Sequence, residues 1–250
     1  MRAWYEDTFG RDYLSLYPQR NDQEAHKDVN RILRLIDPPR DEPLLDLCCG
    51  AGRHLVALYR VGFTRLAGLD LSADLLAEAR FRLRAESMDG VQLMQADMRE
   101  IPQSDLYRTI VSLFTSFGYF EEDREDERVL QSAYRALTCN GTLLLDTLNR
   151  GHVVANLVSA EKRELEGKRI SIHRHITNDG LRVEKETRIT QPGSPETAYR
   201  ESVRMYEKTE IEEMLGNIGF INPLFYGDLE GRAFSSESPR MVFIASKAES

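Results

Sequence analysis

Cysteine is scarce in this chain of 250 residues: Cys48, Cys49 and Cys139 are the only three. They form no CxxC pair and no Cys/His cluster at zinc spacing, so buried free thiols in a reducing cytoplasm are expected, and no metal. Surplus positive charge is also missing. A formal net charge of −8 argues against a general binder of nucleic acid or anionic membrane, since both need excess Lys and Arg. No apolar run approaches the length that crosses a bilayer. The opening MRAWYEDTFGRDYL mixes charges with aromatics and lacks the apolar core of a signal peptide. Internal repeats and low-complexity segments are absent too. The length suits one substantial domain carrying a sizeable insertion.

Short apolar segments alternate with amphipathic ones through much of the chain. Residues 12–36 read as helical, with DVNRILRLI at helical spacing, and DPPRDEP stops them. LLDLCC, RLAGLDL, VQLMQAD, YRTIVSLF and TLLLDTL read as strands. RHLVALYRVG, SADLLAEARFRLRAE capped by Ser72, and EDERVLQSAYRAL before a CNG turn read as helices. This rhythm implies a mostly parallel sheet covered on both faces. It breaks after Asn149. Polar alternating segments KRISIHRHIT, LRVEKETRIT and ETAYRESVRMY, the first two joined by NDG, predict an antiparallel insertion. Helix TEIEEMLGNIG and strands FINPLFYG and RMVFIASK resume the first pattern.

The stretch LLDLCCGAGRH, residues 44–54, runs from buried strand into a tight bend. Gly50 and Gly52 let the chain turn sharply and let a ligand approach the backbone at the carboxyl end of a strand. Asp70 ends the next strand about twenty residues later, where a carboxylate accepts ribose hydroxyls. Asp97 ends the strand after that, within reach of an adenine amino group. Each Asp alone also reads as a strand-end cap or turn former. Leu55 stands where a dinucleotide fingerprint has its third Gly or Ala, and no G-x-x-x-x-G-K-[ST] loop is present. The expected ligand therefore carries ribose and adenine without a diphosphate.

LLDLCCGAGRH, GLDLS, QADMREIP, VSLFTSFGYF and RALTCNGTLLLD resemble the successive motifs of class I S-adenosylmethionine-dependent methyltransferases. The resemblance spans essentially the whole chain. It implies an α/β, Rossmann-like methyltransferase fold: a doubly wound, mostly parallel seven-stranded sheet with a small antiparallel β insertion. Within a single domain, residues 1–40 would be an N-terminal helical cap, 41–150 the cofactor-binding core, 151–206 the insertion over the active site, and 207–250 the return to the core sheet. Cys48 replaces the first of the family's three glycines, and CNG replaces a Pro-Gly-Gly turn. The family's pattern implies that Asp46 and the backbone at Cys48, Gly50 and Gly52 hold the methionyl part of S-adenosylmethionine. It likewise implies that Asp70 takes the ribose, Leu71 packs on the adenine, Asp97 and Met98 meet the adenine edge, and Leu113 lies beside the reacting sulfur.

The implied reaction is in-line methyl transfer to a small-molecule acceptor, preferably an amine, with the protein supplying alignment and water exclusion. TSFGYF resembles the matching segment of small-molecule N-methyltransferases acting on glycine or amino sugars. By that likeness Tyr119 faces the acceptor as a catalytic residue, with Thr115 and Ser116 beside it. Tyr13, joining Tyr119 as a catalytic candidate, and Tyr17 lie one helical turn apart, and either close as a lid or pack their helix onto the sheet. Arg150 is placed to hold an anionic group, or to cap a helix. His173 and His175 share one face of a strand, as a solvated face or a substrate-facing base. The acidic run EEDREDER is expected to enrich a helix start and face solvent. Nucleic acid and membrane are not expected partners, and a homodimer is among the assemblies the sequence allows. The rival readings are a protein or peptide methyltransferase, a non-catalytic module that binds the cofactor or its demethylated product, and a nicotinamide-dependent oxidoreductase, against which Leu55 and the missing close-packing glycine argue.

Overall fold

The computed structural model describes residues 3–10, 16 and 21–249. Tyr13 and Tyr17 lie outside the described residues. A seven-stranded sheet is built from β1 (Leu44–Leu47), β2 (Leu66–Asp70), β3 (Gln92–Gln95), β4 (Tyr107–Ser112), β5 (Leu137–Leu148), β10 (Phe220–Tyr226) and β11 (Arg240–Lys247). Their order is β10-β11-β5-β4-β1-β2-β3, with only β11 antiparallel to its neighbours. The order reverses beside β1, between β2 and β4, and the crevice that opens at such a point is where open α/β sheets bind ligands. Strands β1 and β2 are buried along their whole length, as expected for parallel strands covered on both faces.

Helices α2 (Asp22–Ile36), α3 (Arg53–Arg60), α4 (Ala73–Ala85), α5 (Asp123–Ala136) and α7 (Lys208–Ile218) cover the sheet; α1 (Trp4–Thr8) and α6 (Arg150–Asn156) are shorter. Helix α2 buries Ala25, Val29 and Ile32, one stripe at helical spacing, and its N-cap Asn21 accepts from the Glu24 N–H. Ser72 caps α4 by accepting from the Leu75 N–H at 3.2 Å, as the sequence predicts. No described helix is long and apolar enough to cross a membrane.

The second sheet is β6 (Ala160–Leu165), β7 (Lys168–Ile176), β8 (Arg182–Thr190) and β9 (Thr197–Arg204), all antiparallel. The sequence pattern predicts three of these strands. It misses β6 because AEKREL carries charge at alternate half-buried positions of an edge strand. It also misses α6. The predicted CNG turn is not a separate turn: β5 starts at Leu137, and its pairing with β4 shifts register between Tyr107 and Thr109. Asn140 takes a φ of 58° there. Ile170, Ile172 and Ile189 pack with Leu16 beneath the small sheet, while His173 and His175 point to solvent from the opposite face.

The acidic run enriches the start of α5 and mostly faces solvent as expected, with Asp126 the buried exception and two further acids taken up in ion pairs. Asp126 is 0% exposed, Asp123 pairs with Arg204 at 3.1 Å, and Glu125 pairs with Arg99 at 2.5 Å. Tyr206 donates to Asp126 at 2.9 Å, and the Gly118 N–H donates to the other Asp126 oxygen at 3.1 Å. Burial pushes the Asp126 carboxyl up to about 7 against the pull of those two hydrogen bonds. The run therefore ties the loop after β4 to the base of the small sheet.

Candidate active site

A cavity of about 620 Å³ opens where β1, β2 and β3 end. Its size lies in the range of small-molecule sites. Asp46, Cys48, Gly50, Asp70, Leu71, Asp97, Met98, Leu113, Ser116 and Tyr119 all line it. Gly52, Thr115, Arg150 and His173 do not.

The bend after β1 needs a left-handed backbone at three positions: Cys48 (φ 64°), Gly50 (φ 55°) and Gly52 (φ 75°). Cys48 thus holds a glycine-like conformation at the position where the resemblance expects glycine, at a cost of order 1–2 kcal/mol. Its sulfur lies 3.5 Å from that of Met98, and burial pushes its thiol well above the ordinary range. Gly52 serves packing instead of ligand approach. A Cβ there would come within 3.1 Å of the Ala79 Cβ, where α3 crosses α4.

Asp70 accepts from the Gly50 N–H at 2.8 Å and the Ser72 N–H at 2.9 Å, one on each carboxylate oxygen. Each oxygen keeps a second lone pair for a ligand. Burial raises its pKa against these bonds. Asp46 is buried at the cavity wall, and its Oδ2 has no hydrogen-bond partner. Burial pushes the Asp46 carboxyl up to about 7, with Arg53 opposing and Asp70 adding. An orphaned buried carboxylate oxygen is costly unless a donor meets it.

Asp97 is already engaged. Arg99 donates to both of its oxygens, at 3.0 and 2.6 Å, and also lies 4.3 Å over the Phe120 ring. Burial alone would raise the Asp97 pKa, but the Arg99 side chain and N–H outweigh it and hold the carboxyl below its usual range. The sequence reading misses Arg99. Leu71 is 38% exposed at the cavity edge, a large apolar side chain left uncovered.

The loop after β4 is held in an unusual shape, with Phe114 and Thr115 both in the left-handed region (φ 61° and 64°). Asp146 of β5 accepts from the Phe114 N–H at 3.0 Å, and its backbone carbonyl accepts from the Thr115 N–H at 3.0 Å. Arg240 of β11 donates to Asp146 at 2.7 Å and to the Thr115 hydroxyl at 2.7 Å. Thr115 is thereby turned away from the cavity, which corrects its expected place beside the acceptor. Backbone strain of this kind concentrates at functional sites.

Tyr119 meets aromatic neighbours from α1 and the residue beyond it: Phe9 stacks on it at 5.6 Å and Trp4 meets it edge-on at 4.9 Å. Tyr5, Glu6 and Phe9 line the cavity with it. Helix α1 is itself seated on β9, where Thr8 donates to the Arg200 carbonyl at 3.0 Å. Among the described residues, none of the small sheet lines the cavity. The insertion reaches it through α1. His173 projects to solvent, and Arg150 pairs with Glu207 at 3.4 Å near the Gly180 turn, away from the cavity. Among the described residues no group of His, Cys, Asp and Glu could hold a metal ion.

Arg53 and His54, which follow the glycine bend, also line the cavity. The sequence reading gives neither a role. Arg53 lies 4.4 Å over the Phe114 ring and 3.8 Å from Asp28, whose place on the apolar face of α2 gave no local signal.

Comparison with known proteins agrees with this architecture. Residues 44–141 match the family model described as a methyltransferase domain. A dTDP-3-amino-3,4,6-trideoxy-alpha-D-glucopyranose N,N-dimethyltransferase of Streptomyces venezuelae is 27% identical over 199 residues, 78% of this chain and 81% of that protein. A glycine/sarcosine N-methyltransferase of Halorhodospira halochloris is 24% identical over 207 residues, 82% and 75% of the two chains. Among solved structures, S-adenosylmethionine-bound CalS10, an amino pentose methyltransferase from Micromonospora echinaspora, superposes with a TM-score of 0.69 at 22% identity, covering 95% of this chain and 97% of that one. A sheet of this order, a glycine bend with acids at successive strand ends, and the family match place a methyltransferase domain at residues 44–141 of a chain that is similar over most of its length to S-adenosylmethionine-dependent N-methyltransferases.

Proposed function

We propose that the chain methylates the amine of a small molecule in this cavity. The observation that carries the binding half is the orphaned Oδ2 of Asp46, beside Arg53 at one end of the cavity. A carboxylate and a guanidinium side by side suit the ammonium and carboxylate of an amino-acid end, which is what the methionyl part of S-adenosylmethionine presents. Asp70 would hold the ribose through its remaining lone pairs, and Leu71 would cover the adenine. Asp97 keeps acceptor capacity for the adenine amino group although Arg99 occupies it, with Met98 beside it and Leu113 toward the sulfur. When bound, the cofactor supplies a methyl group on a positive sulfur that needs no further activation.

The acceptor side is formed by Phe114, Ser116, Tyr119, the α1 residues Tyr5 and Glu6, and Phe9 just beyond them. An aromatic wall with one nearby carboxylate suits a cationic amine and excludes water from it. The amine acceptor is supported by the amino-sugar and glycine/sarcosine N-methyltransferases among the relatives. A small molecule, with neither nucleic acid nor membrane, also accords with the net charge of −8. Free thiols are in keeping with a cytoplasmic setting, and a homodimer with the exposed small sheet.

The test is a mass-spectrometric screen of glycine, sarcosine and dTDP-linked amino sugars with S-adenosylmethionine. A gain of one or two methyl groups on an amine is expected; methylation of hydroxyls or carboxylates alone contradicts the reading. With an active amine in hand, Tyr119→Phe should lower kcat about tenfold while cofactor affinity stays within twofold. Equal turnover by both proteins removes the Tyr119 hydroxyl from the reaction.

A further inference from the structure

The pair Arg53–His54 has a buried carboxylate behind it. His54 and Asp28 are 6% and 3% exposed, and His54 Nε2 stands 3.6 Å from Asp28 Oδ2. Both of those atoms are occluded and lack a hydrogen-bond partner. A movement of a few tenths of an ångström would close them into one bond. The imidazole stacks on Phe114 at 5.6 Å and 13°. His54 lines the cavity, and its Nδ1 is neither an occluded orphan nor hydrogen-bonded among the described residues. With Nε2 turned toward Asp28, Nδ1 is the ring nitrogen left for the cavity that His54 lines.

An amine that arrives as an ammonium ion has no lone pair and must lose a proton before it can act as a nucleophile. We propose that His54 Nδ1 accepts this proton and that Asp28 is the positioning residue that directs it there. Accepting from Nε2–H, Asp28 selects the tautomer whose Nδ1 is unprotonated. In the step itself an N–H bond of the ammonium breaks and its electron pair stays on the amine nitrogen. The proton bonds to Nδ1, and the Asp28 carboxylate offsets the new imidazolium. The charged groups around the ring are Asp28 and Arg31 on α2, Arg53 on α3, and Asp146 on β5 with its partner Arg240. Burial lowers the His54 pKa to about 4 while Asp28 pulls it up, so the ring is neutral near pH 7. The proposal rests on the amine reading above.

Two measurements test it. Nitrogen-15 NMR of the imidazoles, with the His54 signals assigned by their loss in His54→Gln, reads the tautomer in the ligand-free chain. At pH 7 we expect a protonated Nε2 and an unprotonated Nδ1, with that preference lost in Asp28→Asn; a protonated Nδ1 overturns the proposal. Kinetics then use whichever of sarcosine or the dTDP-amino sugars is methylated. His54→Gln should lose at least tenfold in kcat at pH 7, with affinity for S-adenosylhomocysteine within threefold of wild type. The deficit should shrink about tenfold per pH unit toward the amine's own pKa, as solvent supplies the free base. A deficit equal at every pH, or none, overturns the proposal. Asp28→Asn should show a smaller loss with the same pH slope, which covers a His54 variant that does not fold. A wild-type chain that methylates no amine refutes the amine reading instead, and the NMR result distinguishes the two failures.

Discussion

Asp46→Asn is expected to weaken S-adenosylmethionine binding about a hundredfold at pH 7. Asp46 Oδ2 is buried with no partner inside the protein, so its desolvation is already spent in the ligand-free fold. A ligand ammonium that meets it forms a charge-assisted bond in a site largely removed from water, and losing a buried charged partner costs about 3–5 kcal/mol. The neutral amide recovers part of that through its carbonyl oxygen. The same residue sets a pH dependence. Its carboxyl is pushed up to about 7, so acid protonates it and removes the charge the ammonium needs. Cofactor affinity should therefore rise roughly tenfold from pH 5.5 to 7, below the range near 7.7–8.0 where an α-amino group starts to lose its own proton. Asp46→Asn should flatten that rise. Calorimetric titration at both pH values checks each expectation, and a wild-type affinity independent of pH contradicts the assignment.

Gly118→Ala should be the most damaging single methyl added to the chain outside the cofactor bend. Gly118 has a φ of 90°, and a Cβ there would stand 2.4 Å from the Arg204 carbonyl oxygen. That backbone cannot retreat easily. The Arg204 N–H donates to the Gly118 carbonyl at 2.7 Å, Arg182 donates to the same carbonyl at 3.2 Å, and Asp126 holds the Gly118 N–H. Overpacking with a disfavoured backbone angle costs about 3–4 kcal/mol, or roughly 6–16 °C in Tm for a domain of this size. Tyr119 is the next residue, so turnover should fall further than stability alone explains. Gly90→Ala is the control: nothing lies within 4 Å of its added Cβ, and it should shift Tm by no more than about 2 °C. Scanning calorimetry of the two variants gives the comparison, and equal Tm values would show that the loop is not clamped.

The parallel core was legible because its signals are local. Short strands that carry Asp46, end in Asp70 or lead to Asp97, and helices opening at Ser72 or closing at Gly219, are written within a few residues of each other. What the sequence concealed depends on partners far apart in the chain. Asp146 and Arg240, 94 positions apart, hold the strained loop that turns Thr115 away from the cavity. Asp126 reads as part of a solvated helix start although the fold buries it against Tyr206 from 80 positions away, and Asp123, still exposed, is paired with Arg204 from 81 positions away. Arg150 follows the fifth strand and His173 lies within the insertion, but the insertion folds over α1 and not onto the cavity. Asp28 is the clearest case. On a helical stripe with Ala25, Val29 and Ile32 it looks like an interruption of the core, and only the fold brings it behind His54.

The central claim is that the crevice beyond Asp46, Asp70 and Asp97 is built for an adenosyl amino acid and not for a dinucleotide. Isothermal titration of the chain with S-adenosylmethionine, S-adenosylhomocysteine and NAD in parallel tests it most directly. The account predicts saturable binding of the first two with one site each, and none of NAD. Binding of NAD alone would contradict it, because the glycine bend at residues 48–52 would then be cradling a diphosphate.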